Sequence, residues 1–196
     1  MRLEQPFRRA TADDAAALVD LVDFASEGLA LYLWTKIAGP RGDARAIGRE
    51  RAARETGSFS YRNAVVLERE GRVVAGLIGY PLPDRPEPIA ADMPAMFVPL
   101  QELENLVPGT WYVNVLAAYP EERGKGHGSA LLALAERMAA DTGRSGLSII
   151  VSDANTGARV LYERCGYRER AQRRMVKEDW RHAGTNWVLL TKPLSL

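Results

Sequence analysis

The chain has 196 residues, one cysteine and a formal net charge of +1, with 46% hydrophobic and 26% charged residues. That length suits a single domain, 1–196, with a sizeable core, and the even charge balance argues against nucleic acid or an anionic membrane as partner. The lone Cys165 excludes an intrachain disulfide and a thiolate zinc cluster, and no metal-ligand cluster is expected. A reducing cytoplasm fits. MRLEQPFRRA lacks the apolar core of a signal peptide, and no apolar run approaches the roughly 18 residues of a membrane span.

In chain order, Gln5–Ala10 reads as a short strand. Thr11 with Asp13 and Asp14 marks a helix start, and Leu18, Leu21, Val22 and Ala25 follow at helical spacing. Gly28 interrupts that pattern. The next stretch, Leu29–Ile37, is too aromatic for an ordinary solvent-facing loop and is expected to depart from regular structure. After the break at Gly39–Gly42, Asp43 caps a second helix, Ala44–Thr56. Its Arg45, Arg49, Arg51 and Arg54 form a solvated face with Glu50 and Glu55 as partners. Two β segments, Tyr61–Arg69 and Arg72–Tyr80, join at Glu70-Gly71 in the manner of a tight hairpin. The proline-rich stretch Pro81–Pro99 comes next, holding Met93, Met96 and Phe97, with helix expected only around Val98–Leu106. A long irregular segment inside a compact domain points to function or mobility.

Thr110–Met138 carries the chemistry. It reads as a strand (Trp111–Ala117), a basic Gly-rich loop (Glu121–Gly128) and an apolar-periodic helix (Ser129–Met138). The first N–H groups of a helix have no internal partner, and the macrodipole places partial positive charge there. Gly124, Gly126 and Gly128 let the backbone approach a bulky pyrophosphate, and Arg123 and Lys125 add full charges. These features imply a phosphate-bearing cofactor at Arg123–Ser129, with His127 as a helix-start spacer. The P-loop pattern is absent, since no Gly-Lys-Ser/Thr triplet comes after the glycines. A Rossmann turn stays open as an alternative. The glycines precede a helix, and Asp153 lies beyond the next strand, Leu147–Val151, at a plausible distance for a ribose contact. Against it, Ala118–Glu122 separates the strand from the glycines.

After Leu147–Val151 comes NTGARVLYERCGY, from Asn155 to Tyr167. Asn155 or Asp153 can cap this helix, Ala158, Leu161 and Tyr162 share a face, and Gly166 suits the position past its end. Cys165, on the last turn, reads as a small buried hydrophobe. Strands at Tyr167–Val176 and Asn186–Lys192 flank a loop, Lys177–Gly184.

Two matches point to a family. Arg123-x-x-Gly126-x-Gly128, preceded by a hydrophobic strand and Pro120, resembles the acetyl-CoA signature of the GNAT superfamily of N-acetyltransferases. The run from Asn155 through Leu161-Tyr162-Glu163 to Gly166 and Tyr167 resembles its second signature. Together they cover about residues 110 to 170. The resemblance implies an α/β fold: a mixed, mostly antiparallel sheet with splayed central parallel strands and helices on both faces. It implies acetyl-CoA as cofactor and direct transfer of the acetyl group, in a ternary complex, to the primary amine of a small molecule or peptide. The residues it assigns to the cofactor are Leu116, Ala117, Ala118, Arg123, Gly124, Lys125, Gly126, His127, Gly128, Ser129, Asn155 and Tyr162. Backbone N–H groups near Leu116 and Ala118 would hold the pantetheine and the thioester carbonyl. Tyr162 stands where the family often carries the acid that protonates the departing sulfur.

Many relatives place a Glu on the strand before the loop. Here Tyr112, Asn114 and Leu116 share that face by period-two alternation, and none is acidic. Asn114 can orient the acceptor or a water. Glu27, Glu104 and His182 are the titratable alternatives. The acceptor is expected at Leu29–Ile37 and Pro81–Phe97, with Glu27, Tyr32, Trp34, Tyr112 and Asn114 as substrate-binding residues. Closure of the core, or a homodimer contact, is the competing use of the aromatics there. The missing strand carboxylate keeps a second function open, a non-catalytic acetyl-CoA-binding module acting as sensor or structural element.

Overall fold

The computed structural model describes residues 3–194; the ends of the expected 1–196 domain, residues 1, 2, 195 and 196, lie outside the described residues. The elements run β1 (Phe7–Arg9), α1 (Ala15–Ala25), α2 (Leu29–Ala38), α3 (Ala44–Ala52), β2 (Ala64–Arg69), β3 (Arg72–Pro81), α4 (Val98–Glu104), β4 (Trp111–Ala118), α5 (His127–Asp141), β5 (Gly146–Ser152), α6 (Thr156–Arg164), β6 (Arg168–Arg174) and β7 (Asn186–Pro193). The strands form one seven-stranded sheet in the order β1-β2-β3-β4-β5-β7-β6. β1 with β2, β2 with β3, β5 with β7, and β6 with β7 are antiparallel. β4 and β5 are parallel, pairing Trp111 with Leu147, Tyr112 with Ser148 and Val113 with Ile149. This mixed sheet is unlike the mostly parallel sheet of a Rossmann fold.

Contacts group the chain into two units, one comprising the residues up to Gly79 with Asn114–Leu131, the other Tyr80–Val113 with Leu132 onward. In the first, α1, α2 and α3 bury Leu18, Val19, Val22, Ala30, Trp34 and Ala52 together with Ala64, Val66, Ile78 and Val115. Leu29–Ile37, expected to be irregular, is helical. Gly28 does not end helical structure; at φ 86° it turns the chain between two helices, and Glu27 beside it also has positive φ. The aromatics of this stretch therefore adopt a helical period, which places Trp34 inward at 3% exposure. A Cβ on Gly48 of α3 would sit 2.8 Å from the Trp34 ring. Glycine thus lets α3 close on the indole.

Helix α3 stops at Ala52, short of the expected Thr56, and Tyr61–Asn63 form a 3-10 turn capped by Ser60 rather than the start of β2. Asp43 caps α3 by accepting from Ala46 N–H at 3.1 Å. The arginine partners differ in part from expectation. Arg54 pairs with Glu50, but Glu55 takes Tyr61 and Arg62, Arg49 takes Asp43, and Arg45 reaches Asp20 on α1. Before α1, Arg8 grips Asp14 through two bonds of 2.7 and 2.9 Å, and Asp14 accepts from Thr11 N–H. Arg8 holds that carboxyl below its usual range despite partial burial.

In the second unit, α6 ends in a Schellman motif. Tyr167 N–H donates to Tyr162 C=O, Gly166 N–H donates to Glu163 C=O, and Gly166 supplies φ 92°. The Asp153 carboxylate at the end of β5 accepts from Thr185 N–H, Asn186 N–H and the Asn186 amide. Burial opposes its charge, but these bonds outweigh it and its carboxyl lies below the usual range. Asp153 thus clamps β7, which occupies the oxygens a ribose would need.

Trp34→Ala should cost about 3–5 kcal/mol of stability, as expected for emptying a buried aromatic site. Gly48→Ala, which helix propensity alone would favour by about 1 kcal/mol, should also destabilise, because the new methyl meets the indole. Urea denaturation of both variants checks this.

Candidate active site

The first unit holds the Gly-rich loop and the end of β4 that leads into it. Tyr119 pins the end of that strand. Its N–H donates to Val74 C=O, its hydroxyl donates to Asp20 at 2.8 Å, and its ring meets Phe24 edge-on at 5.7 Å. Burial, then the bond to Asp20, raises its phenol above the usual range, so it stays neutral. Pro120–Glu122 form a 3-10 turn, and the exposed Arg123 guanidinium lies 5.7 Å from the Phe24 ring centre. Gly124 and Gly126 have φ of 76° and 83°, and a Cβ on either would meet nothing within 4 Å. The helical ladder begins with Ala130 N–H donating to Gly126 C=O at 3.1 Å, so the N–H groups of His127, Gly128 and Ser129 precede it.

His127 is more than a spacer. It is the first residue of α5, it is buried, and its Nε2 lies 3.1 Å from the Glu122 carboxylate, which also takes Lys125 at 3.0 Å. An ionised carboxylate only accepts, so Nε2 carries the hydrogen. These two bonds, His127 first, hold Glu122 below the usual carboxylate range. Sequence reasoning missed Glu122 as a structural member of the loop. An acid five residues before a histidine is no recurrent pattern.

Elsewhere in this unit, Leu116, Ala117 and Ala118 are partly exposed, as is Asn114, whereas Val113 and Val115 are buried. Burial alternates only from Val113 to Leu116; Tyr112, expected on the face of Asn114 and Leu116, is buried, and Ala117 is partly exposed. Glu27 is exposed in the α1–α2 turn, and Tyr32 stacks under Lys36 on α2, with Nζ 5.3 Å from the ring centre.

The second unit gathers the remaining titratable candidates. Tyr162 on α6 is 5% exposed, and its ring centre is 6.0 Å from that of Tyr167. The Tyr167 hydroxyl is buried with no hydrogen-bond partner among the described residues. Tyr112 is buried with its ring edge-on to Tyr80, 5.8 Å between centres. Burial, with Glu104 next, pushes its phenol well above the usual range. Glu104 itself, at the end of α4, is pushed up to about 7 by burial and then by Glu87. Asn155 spends its side-chain oxygen as the cap of α6, accepting from Ala158 N–H at 3.1 Å. Cys165 is half-buried at the end of that helix. His182 accepts from Gly184 N–H at Nδ1 and stacks on Trp180, with 4.4 Å between ring centres. Of the expected acceptor residues in the proline-rich segment, Met96 is buried and Phe97 precedes the first residue of α4.

Comparison with known proteins fits this arrangement. Residues 31–167, more than half of the chain, match the acetyltransferase (GNAT) family model. The chain belongs to that family, and the protein is an acyltransferase by membership of it. Similar solved structures include an acetyltransferase at 23% identity, covering 96% of this chain and 99% of its own, with TM-score 0.67. Another is the ribosomal-protein-alanine N-acetyltransferase of Brucella melitensis, at 22% identity, 96% and 99% coverage and TM-score 0.59. A third is a GNAT family acetyltransferase of Elizabethkingia anophelis with acetyl-CoA bound, at 16% identity, 89% coverage of both chains and TM-score 0.55. At these identities the likeness is one of fold. No curated protein matches the sequence significantly.

The Glu122 strut sets a pH dependence. Its folded-state carboxyl lies below the unfolded value, so its contribution is present above the unfolded pKa and is lost as pH falls through the folded one. Glu122→Gln should therefore remove part of the acid limb of the stability curve, read as urea midpoints between about pH 3 and pH 7.

Proposed function

We propose that this protein transfers the acetyl group of acetyl-CoA to a primary amine of a small molecule or peptide, directly and without an acyl-enzyme. The observation that carries this reading is the loop before α5, where two glycines at positive φ leave open space beside the leading N–H groups of a helix. Arg123 and Lys125 supply the charge there, and a pyrophosphate fits that donor set. Family membership and the acetyl-CoA seen in the Elizabethkingia anophelis relative select this cofactor over a dinucleotide. Asp153 speaks against the dinucleotide independently, because its carboxylate is occupied by β7.

Acetyl-CoA supplies the acyl thioester: the amine's C–N bond forms, the C–S bond breaks and the thiol leaves. Arg123 and the N–H groups of Gly124–Ser129 bind phosphate. Lys125 lends charge while Glu122 steadies it, and His127 anchors the turn. Main-chain N–H groups near Leu116 and Ala118 hold the pantetheine and polarise the carbonyl, a donor role that strengthens as charge develops. Asn114 and Tyr112 face the acceptor, with Glu27 and Tyr32 contributing from the α1–α2 segment. Tyr162 donates the proton the departing sulfur takes, and Asn155 acts by capping the helix that carries it. Residues 1–196 act as one acetyltransferase domain. No described helix is long and apolar enough to cross a membrane.

Acetyl-CoA at a hundred times its dissociation constant should stabilise the protein by about 2.7 kcal/mol, seen as a raised melting temperature, and NAD should add far less. Gly126→Val should abolish the shift, because a branched side chain is strained at φ 83° and fills the open space. Stabilisation by NAD alone would overturn the cofactor.

Tyr162→Phe keeps the ring but removes its hydroxyl. Acetyl-CoA binding should survive, and kcat and kcat/KM should fall together, on the order of 10²–10⁴-fold. The loss should shrink with an acyl donor whose thiol is more acidic. An unchanged kcat with chemistry rate-limiting would make Tyr162 a packing residue.

A further inference from the structure

Helix α4 ends on Glu104, at the pole where the helix dipole disfavours an anion. Burial disfavours the charge further. Among the described residues no cation pairs with this carboxylate, and the charge that shifts it is another acid, Glu87. Arg85 lines the same depression as Glu104 but forms no ion pair with it, so a placement with these costs suits a task that uses a reluctant carboxylate.

The surroundings offer room for a cationic group. Glu104 lines a shallow depression open to solvent, together with Leu82, Pro83, Arg85, Glu87 and Asn105. Its wall is built, because Asn105 accepts from Glu87 N–H at 3.0 Å and donates to Glu87 C=O at 2.8 Å. The same side-chain oxygen accepts from Gln101 at 3.2 Å. The segment carrying Glu87 is thereby fixed to α4, so two carboxylates share one concavity with apolar Leu82 and Pro83. Glu104 also acts electrostatically on Tyr112, and so does Tyr162, which links the depression to the proposed acid within this unit.

We propose that this depression receives the ammonium group of the acceptor and that Glu104 is the general base of the reaction. The proposal rests on the acetyl-transfer reading above. A carboxylate oxygen of Glu104 takes a proton from R–NH3⁺ and so frees the nitrogen lone pair. That nitrogen bonds to the acetyl carbon as the C–S bond breaks, Tyr162 protonates the thiolate, the nitrogen's second proton restores Tyr162 through water, and the proton on Glu104 passes to bulk water. Glu87 attracts the ammonium without taking its proton. The substrate class is a primary amine cationic at neutral pH.

The charged and titratable groups around Glu104 set the pH profile. Glu87 raises its pKa, Arg85 lines the same depression, and Tyr112, on which Glu104 acts, stays protonated. From β6, Arg173 spends its charge on Glu102 at 2.7 Å. With Glu104 pushed up to about 7, activity should rise as pH passes that value and the base ionises.

The test uses the full chain and a panel of polyamines, amino acids, aminoglycosides and peptides with free amines, with release of CoA thiol as readout. The amine with the highest kcat/KM is then used for pH profiles. Glu104→Gln should keep acetyl-CoA affinity and raise rather than lower the melting temperature, lose on the order of 10²–10⁴-fold in kcat/KM for the amine, and lose the limb near pH 7. Glu87→Gln should move that limb to lower pH, because a like charge is gone. If Glu104→Gln keeps the wild-type kcat/KM and limb while Tyr162→Phe is impaired, the base assignment alone is overturned. If the wild type releases no thiol with any amine, the acetyl-transfer reading fails and this proposal fails with it.

Discussion

The Gly-rich loop is braced from the side by the contact of Glu122 with His127 and Lys125. A chain that must expose consecutive N–H groups to an anion cannot also satisfy them internally, so its shape has to be enforced from the side. Glycine at positive φ permits the shape but does not hold it, since glycine is the residue with most freedom to lose. Glu122 supplies the hold by bridging the turn before the glycines to the first residue of the helix after them. The strand end is fixed as firmly, because Tyr119 bonds to Val74 and Asp20 and packs on Phe24. The exposed charges of Arg123 and Lys125 thus sit on a framework that a ligand need not organise, which lowers the cost of binding.

The helical side of the first unit obeys a different constraint. Trp34 fills the space among α1, α2 and α3, and Gly48 lets the third helix close on it. A large rigid ring opposite a residue without a side chain is a volume match. It makes Trp34 a core residue in this structure, whatever acceptor contacts its helix makes elsewhere. Tyr32, on the same helix, is partly exposed under Lys36.

In the second unit the interest lies in charge. Asp153 and Glu104 are both carboxylates near the ends of regular elements, with opposite outcomes. Asp153 gathers three donors and is held ionised. Glu104 has burial and a like charge, and its pKa moves towards neutrality. The first stabilises the fold by joining β5 to β7. The second costs stability where it stands, and such costs are retained at sites that use them.

The loop and the α6 run are legible from the sequence because their determinants are local. A phosphate loop needs glycines, cations and a helix start within a few residues, and α6 carries its own cap and stop in Asn155 and Gly166. The hairpin at Glu70-Gly71 is legible for the same reason, with both residues at positive φ as a tight turn requires. Leu29–Ile37 is not, because Gly28 marks a break without specifying the conformation of the residues beyond it. Packing among α1, α2 and α3, which is long-range, is what buries Trp34. The order of the elements argues for a mixed α/β sheet, while the splayed parallel pair is expected from family resemblance, since strand order is a matter of long-range pairing that periodicity does not encode. The sequence offers Glu104 only as one of three titratable alternatives for the base, and the roles of Glu122 and Glu87 lie beyond it, for a single reason. A carboxylate's role is set by its surroundings, and burial, a neighbouring acid or a histidine donor exists only once the chain has folded.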